Sequence, residues 1–357
     1  MIRRIALFLF LCLSVHDGFS QQADSSKVTF VPLPAVFFTP ETSWGFGGAA
    51  FLSWRFKNES PESRPSQFQL AAAYTLEDQI LAYLPFQVWW NEEEYSVFGE
   101  LGWYRYNYFF FGIGNDQPED FEELYGVDFP RIRLTAMKKV ANNFYLGGRF
   151  ILDDFTITEL DPEGQLANRP ISGNSGGLNT GLGLLFNYDN RDNYIETFKG
   201  WYAEVTFDLH GDYIGSDFDY TRIRLDFRKF FEMSEKDHFA LRFFSESIDG
   251  EAPFISQALL GGTQTMRGFY LGRYRDDNSA VFQGEYRRDL FWRFGAVAFG
   301  AMGVVAPEYA LLSLGNLRYT YGAGLRFAID PKDRINIRLD VGVGEEPNFY
   351  LTIGEAF

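Results

Sequence analysis

Three groups of residues have types and spacings that could do chemistry. Gly173-Asn174-Ser175-Gly176-Gly177 spells G-x-S-x-G, the elbow that presents a serine nucleophile when it lies on a strand–turn–helix with an acid and a histidine further on. Here the surrounding stretch is glycine-rich loop, and the later histidines, His210 and His238, belong to the ends of two other alternating segments, so the match reads as coincidence. The chain has 3 histidines in all, which leaves few candidates for general acid–base work or for histidine metal sites. Asp189, Asp192 and Asn193 could offer oxygens to calcium, but the loop glycine and distal glutamate of an EF-hand are missing and a charged turn explains them. The third group is Arg267 in Gly261-Gly262-Thr263-Gln264-Thr265-Met266-Arg267-Gly268-Phe269. Glycines permit a tight reversal in a crowded interior. A guanidinium withdrawn from water needs a carboxylate, and its planar fork favours a bidentate one. Glu285 shares its phase with Gln283 and Arg287 and is the expected partner. No cofactor, metal or reaction follows from these residues, and the chain reads as a non-enzyme.

The elements that must position them show period 2. In Tyr220–Arg228, Thr221, Ile223, Leu225 and Phe227 oppose Arg222, Arg224, Asp226 and Arg228, and four charges cannot enter an ordinary sandwich core. Trp201–His210 and Arg334–Gly344 repeat the scheme. Strands are expected at 43–56, 66–76, 79–90, 94–104, 106–112, 128–138, 144–156, 177–188, 199–211, 218–231, 238–248, 280–290 (in preference to 252–261), 294–305, 317–328, 334–344 and 349–357, an even count of about sixteen. Many runs reach the ~10 residues that cross a bilayer when tilted, and Tyr, Trp and Phe gather at their ends, as in the aromatic girdles of membrane barrels. An exported soluble β-protein is the alternative. Turns such as 234–237 and 330–333 are short and 113–127, 157–176 and 249–279 are long, so the long ones are expected outside and the short ones in the periplasm.

Arg3 and Arg4, the apolar stretch Ile5–Val15 and small Gly18 and Ser20 read as an export signal over 1–20, cut before Gln21. The single cysteine, Cys12, leaves with it, so the mature chain needs no thiol chemistry. Residues 21–42, with Pro32, Pro34 and Pro40, read as an extended periplasmic lead-in, and 43–357 as one outer-membrane barrel. Outside the N-terminus no apolar run is long enough for a membrane helix, and a net charge of −16 argues against gripping nucleic acid.

The 261–269 stretch, with Arg273 and Glu285-Tyr286-Arg287 after it, resembles the signature of the BamA/TamA-type outer-membrane assembly barrels, the bacterial surface antigen family. The resemblance implies a loop between strands eleven and twelve that folds into the lumen, with its Arg-Gly-aromatic tip docked on the inner wall. The acidic residue that the family tends to place on the following strand corresponds to Ala301 here, so Asp340 or Asp226 are the substitutes. Tyr188-Asp189-Asn190-Arg191-Asp192-Asn193 with Lys199-Gly200-Trp201 is similar to the family's periplasmic turn between strands eight and nine, without its usual proline. Phe349, Leu351, Ile353 and Phe357 resemble the terminal β-signal by which outer-membrane proteins are recognised.

The resemblance is strongest over 177–357 and implies a short, barrel-only member with no room for POTRA domains. Its surroundings are then outer-membrane lipid and lipopolysaccharide, and its partners unfolded outer-membrane protein clients and accessory lipoproteins. The implied function is assistance to membrane-protein insertion, or to passage of protein or lipid, through a weak seam between first and last strands. Gly45, Gly47, Gly48, Gly342, Gly344 and Gly354 would loosen packing at those edges, and ordinary filling of the lumen explains them at least as well. The alternatives are a porin-like channel plugged by the loop and, further off, a lipid hydrolase.

Overall fold

The structure, a computed structural model, describes residues 7–8, 28–39, 43–60, 62–118, 120–331 and 334–357. The signal expected over 1–20, Leu7–Phe8 apart, and its cut before Gln21 lie outside the described residues. Sixteen strands form one antiparallel sheet in which each pairs with the next in sequence, and the two residues Leu7–Phe8 join it by pairing with Phe38 and Phe37. They are β1 (Thr29–Thr39), β2 (Ser43–Trp54), β3 (Ser66–Thr75), β4 (Ile80–Trp90), β5 (Tyr95–Phe110), β6 (Glu123–Ala141), β7 (Phe144–Leu160) and β8 (Gly177–Asp189). The second half comprises β9 (Gly200–His210), β10 (Tyr220–Glu232), β11 (Asp237–Gly250), β12 (Asn278–Phe291), β13 (Phe294–Ala306), β14 (Arg318–Asp330), β15 (Ile335–Val343) and β16 (Pro347–Ile353). The sheet curls into a barrel: Arg318 at the start of β14 donates to the Asn115 carbonyl, and Arg334 before β15 reaches Asp192 across the opposite mouth.

Alternation sets which face lies inside. On β10, Arg222 and Asp226 are buried while Ile223 and Phe227 are exposed. On β15, Asn336, Arg338 and Asp340 are buried and Leu339 is exposed. The polar face therefore points inward and the apolar face outward, the reverse of a soluble β-protein and the arrangement that hydrocarbon requires. Cysteines placed at Ile335, Ile337 and Leu339 should react with lipid-phase probes, and those at Asn336 and Arg338 should not; labelling of both sets alike would reject this orientation.

The count of sixteen arises with two boundary changes. Segments 94–104 and 106–112 are one strand, β5, in unbroken register with β6 from Tyr95↔Lys138 to Phe110↔Glu123. Arg105 looks like a break because a charge interrupts the apolar face. It faces out, with its Nε 2.7 Å from Asp128 on the neighbouring strand, and β5, β6 and β7, 16, 19 and 17 residues long, exceed the ~10 residues a tilted strand needs to cross. Residues 21–42, expected ahead of the barrel, instead contain its first strand, β1, paired with β2 from Thr29↔Ser53 to Thr39↔Ser43. Proline disfavours an interior strand but is tolerated at an edge, and β1 begins the series of ladders that ends at β16. The last segment, expected over 349–357, stops being a strand at Ile353.

The segments 111–122, 161–176, 211–219, 251–277 and 307–317 lie at one end together with the short turns 76–79 and 344–346, and the turns 91–94, 142–143, 233–236 and 292–293 lie at the other with 190–199. A core of Phe110, Tyr125, Phe155, Leu166, Phe218, Ile248 and Phe254 packs the long loops over the barrel mouth.

Candidate functional site

The loop between β11 and β12 enters the lumen as a compact unit. Ala258–Leu260 pairs with Tyr274–Asp276, and between them a single helical turn, Gly262–Thr265, leads to the tip Met266-Arg267-Gly268-Phe269. Gly261 (φ +108), Gly262 (φ +81) and Gly268 (φ +117) hold backbone conformations that other residues rarely adopt. Met266 and Phe269 pack with Phe244, Leu260, Tyr274, Val281 and Val305. The walls hold the loop's backbone: Arg242 and Gln283 donate to the Gln264 carbonyl at 3.0 and 3.1 Å, and Arg338 donates to that of Thr263 at 3.1 Å.

Arg267 is 1% exposed. It donates through Nη2 to Glu285 on β12 and through Nη1 to Asp340 on β15, the latter at 2.5 Å. Its guanidinium lies 3.6 Å from the Phe299 ring centroid, a cation–π contact in a partly desolvated site. Glu285 is thus the partner its phase indicates, and Asp340 supplies the second carboxylate where Ala301 has none. Asp226, the other substitute, is taken by Arg228 and Arg242, at 2.6 and 2.8 Å. The network extends beyond the pair. Arg287 donates to Glu285 at 2.6 Å, Arg326 to Asp340 at 2.6 Å and to Glu355 at 2.9 Å, and Arg338 approaches Asp340 at 3.5 Å. Each buried charge therefore meets an opposite one, which a buried ion cluster requires.

The last two strands seat the tip. The Gly268 N–H donates to the Tyr350 hydroxyl at 2.9 Å, Asn348 donates to the Gly268 carbonyl at 2.9 Å, and Arg273 and Tyr274 both donate to Glu345. Gly342 and Gly344 have a role other than loosening an edge. A Cβ on Gly342 would stand 2.8 Å from the Gly268 nitrogen, and one on Gly344 would stand 2.6 Å from the Phe269 ring. They are the floor on which the tip rests. Sequence reasoning missed Tyr350, Asn348 and Glu345; the first two carried only a lumenal phase on β16 and Glu345 lies in the turn before it, with their partner, the loop, far away in the chain.

At the short-turn end, residues 190–199 between β8 and β9 form a self-capped turn. Asp192 accepts from the Phe198 and Lys199 N–H groups, at 3.0 and 3.1 Å, and from Arg334 at 2.7 Å; Asn193 accepts from Ile195 and Glu196. Asp189 receives Arg191 at 2.9 Å and Arg64 at 2.8 Å. The oxygens that could face calcium thus accept from the turn's own N–H groups and from Arg64, Arg191 and Arg334. Gly200 (φ +121) closes it, where a Cβ would meet the Asn190 carbonyl at 2.7 Å. Burial, reinforced by the nearby Glu355 charge and opposed by Arg287, pushes the Glu196 carboxyl up to about 7. A raised acid folds most easily while protonated, so its favourable share is complete below the ordinary glutamate range and is lost as pH climbs through about 7. Thermal stability should therefore fall between pH 5 and 8.5, and Glu196→Gln should flatten that fall; an identical slope in the variant would place the pH dependence elsewhere.

The chain's end also turns inward. Phe349 is exposed and Leu351 half-buried on the outer face, and Ile353 pairs with Ile337. Gly354 (φ +81) then reverses direction and sends Phe357 against Phe230 and Ala240 on the inner wall, where Arg287 donates to its carbonyl at 3.0 Å. Ser175 lies in a loop of turns before β8 rather than on a strand–turn–helix, and His210 is stacked on Tyr220 with a centroid distance of 4.1 Å.

This barrel and inserted loop can be compared with known proteins. The model of the Omp85 superfamily domain matches residues 86–357. No curated protein matches the chain by sequence. Among solved structures, BamA from Haemophilus ducreyi lacking POTRA domains 1–3 aligns with a TM-score of 0.56 at 14% identity, over 93% of this chain and 70% of that one. CdiB from Acinetobacter baumannii aligns with a TM-score of 0.57 at 10% identity, over 96% of this chain. CdiB from Escherichia coli aligns with a TM-score of 0.57 at 11% identity, over 94% of this chain. The chain spans 62% of the length of each CdiB chain. At such identities these likenesses show the fold, while the family match takes in most of the barrel and the whole of the lumenal loop. The chain belongs to the Omp85 superfamily and is a β-barrel of the bacterial outer membrane.

Proposed function

We propose that the barrel assists insertion of polypeptides into the outer membrane, or passage of protein or lipid across it, at the edge formed by β16 and β1, with the docked loop as a lock on that edge. The observation that carries this reading is the tip's attachment to β15 and β16, through Asp340, Asn348 and Tyr350. A loop that merely plugged a pore would have no need to grip the terminal strands. The edges themselves are poor. β16 has 7 residues, and Pro32 and Pro34, two apart, remove two donors from the same side of β1. The clients in this reading are unfolded outer-membrane proteins, delivered with the help of accessory lipoproteins, and no reaction is assigned to the chain.

The decisive experiment is depletion of the protein followed by a census of outer-membrane proteins and lipids, joined to conductance of the purified barrel with and without residues 251–277. Selective loss of outer-membrane components, with a closed intact barrel, is expected. A wide constitutive current in the intact protein and an unchanged census would leave a channel.

A further inference from the structure

The short-turn end of the lumen holds a cavity of about 350 Å³ that the loop lock leaves open. Arg287, Arg326, Glu196, Asp289 and Glu355 line it, and the end of β12 with the β12–β13 turn, residues 290–293, forms its rim. In a chain of net charge −16, the lining carries more cations than carboxylates. Arg288 and Arg334 are engaged by Asp237 and Asp192, at 2.9 and 2.7 Å. Lys236 and Arg293 have no carboxylate partner among the described residues; Arg293 donates to the Ile329 carbonyl at 2.9 Å.

Deeper in, Arg287 commits Nε to Glu285 and Nη2 to Phe357, and Arg326 commits Nε to Glu355 and Nη1 to Asp340. The nitrogens left over, Arg287 Nη1 and Arg326 Nη2, have no hydrogen-bond partner, on side chains whose residues are 4% and 5% exposed. Buried guanidinium donors without acceptors are costly, and an oxyanion in the cavity would satisfy both. Beside this cavity the turn is strongly apolar. Phe291 and Trp292 are 69% and 79% exposed, and Trp292 and Phe294 pack on Phe327 with centroid distances of 5.8 and 5.3 Å. Aromatics at a strand end sit at the membrane–water interface, so the rim stands at the depth of the inner-leaflet headgroups.

We propose that this cavity binds the phosphodiester headgroup of an anionic phospholipid of the inner leaflet. The phosphate meets the free nitrogens of Arg287 and Arg326 together with Lys236 and Arg293, and the acyl chains pass over the rim onto Phe294 and Phe327. The aromatic wall favours a lipid over free phosphate, which would gain nothing from it, and the excess of cations favours an anionic headgroup over a zwitterionic one.

The test uses the full chain in detergent, titrated with short-chain phosphatidylglycerol, short-chain phosphatidylcholine, inorganic phosphate and a glutamate-rich peptide. Saturable binding of phosphatidylglycerol is expected, in preference to phosphatidylcholine and phosphate. Lys236→Gln with Arg293→Gln, both outside the loop lock, should weaken it by roughly thirtyfold, and Trp292→Ser should weaken lipid but not phosphate binding. Heat-modifiable migration on gels verifies that each variant is folded. Equal affinity for the two lipids, an unchanged double variant, phosphate competing as well as the lipid, or binding of the acidic peptide alone would each overturn the proposal.

Discussion

Arg267→Ala should release the lumenal loop and lower barrel stability more than any other single change in the lock. Removing the guanidinium leaves Glu285 and Asp340, both fully buried, short of one cation. Stranding a buried charge costs roughly 3–5 kcal/mol when burial is complete. Here the loss should fall toward the lower end, because Glu285 keeps Arg287 and Asp340 keeps Arg326. Glu285→Ala or Asp340→Ala alone should cost less, since Arg267 retains the other carboxylate. The cycle between Arg267→Ala and Glu285→Ala should be non-additive, with the double variant little worse than the Arg267 variant, as expected for groups in one network. Arg267→Lys should rescue only partly: a point ammonium cannot bridge carboxylates on β12 and β15 while stacking on Phe299. Thermal unfolding of the barrel and protease sensitivity of the loop in whole cells are the readouts. Strict additivity would mean that the two residues are uncoupled.

Gly342→Ala should undock the same loop without touching a charge. The added methyl would meet the Gly268 nitrogen at 2.8 Å, the Arg267 carbonyl carbon at 2.9 Å and its oxygen at 3.1 Å. All three are backbone atoms that no rotamer change can move, so the tip must lift. Overpacking of this kind costs about 1–3 kcal/mol. The wall should survive, because the methyl points into the lumen and the ladder to β14 and β16 uses backbone alone. Loop proteolysis should therefore rise steeply while heat-modifiable migration persists. Gly342→Ala added to Arg267→Ala should change little, the loop being free already. A Gly342 variant with a protected loop would show that the tip rests elsewhere.

The sequence by itself determined the architecture. Alternation with charges on one face, as in Arg222, Arg224, Asp226 and Arg228, admits only a polar interior and an apolar exterior, and this period survives whatever the neighbours are. It also determined Glu285 as a partner for Arg267, because phase along one strand fixes the side on which a carboxylate lies. What it could not determine depends on distance in the chain. Asp340 lies 73 residues from Arg267 and Tyr350 lies 82 residues from Gly268; they meet the tip only because the sheet curls and brings β15 and β16 beneath the loop. Gly342 and Gly344 read as weak edge packing or as lumen filler, and their contact with the tip is visible only in the folded barrel. Arg105 read as a break until β5 rose beyond the apolar band, where a charge facing out beside Asp128 is at home, and β1 read as lead-in until its prolines fell on an edge strand. Strand identity is local, set by side-chain period, whereas partners, edges and the seat of the loop exist only once the barrel has curled.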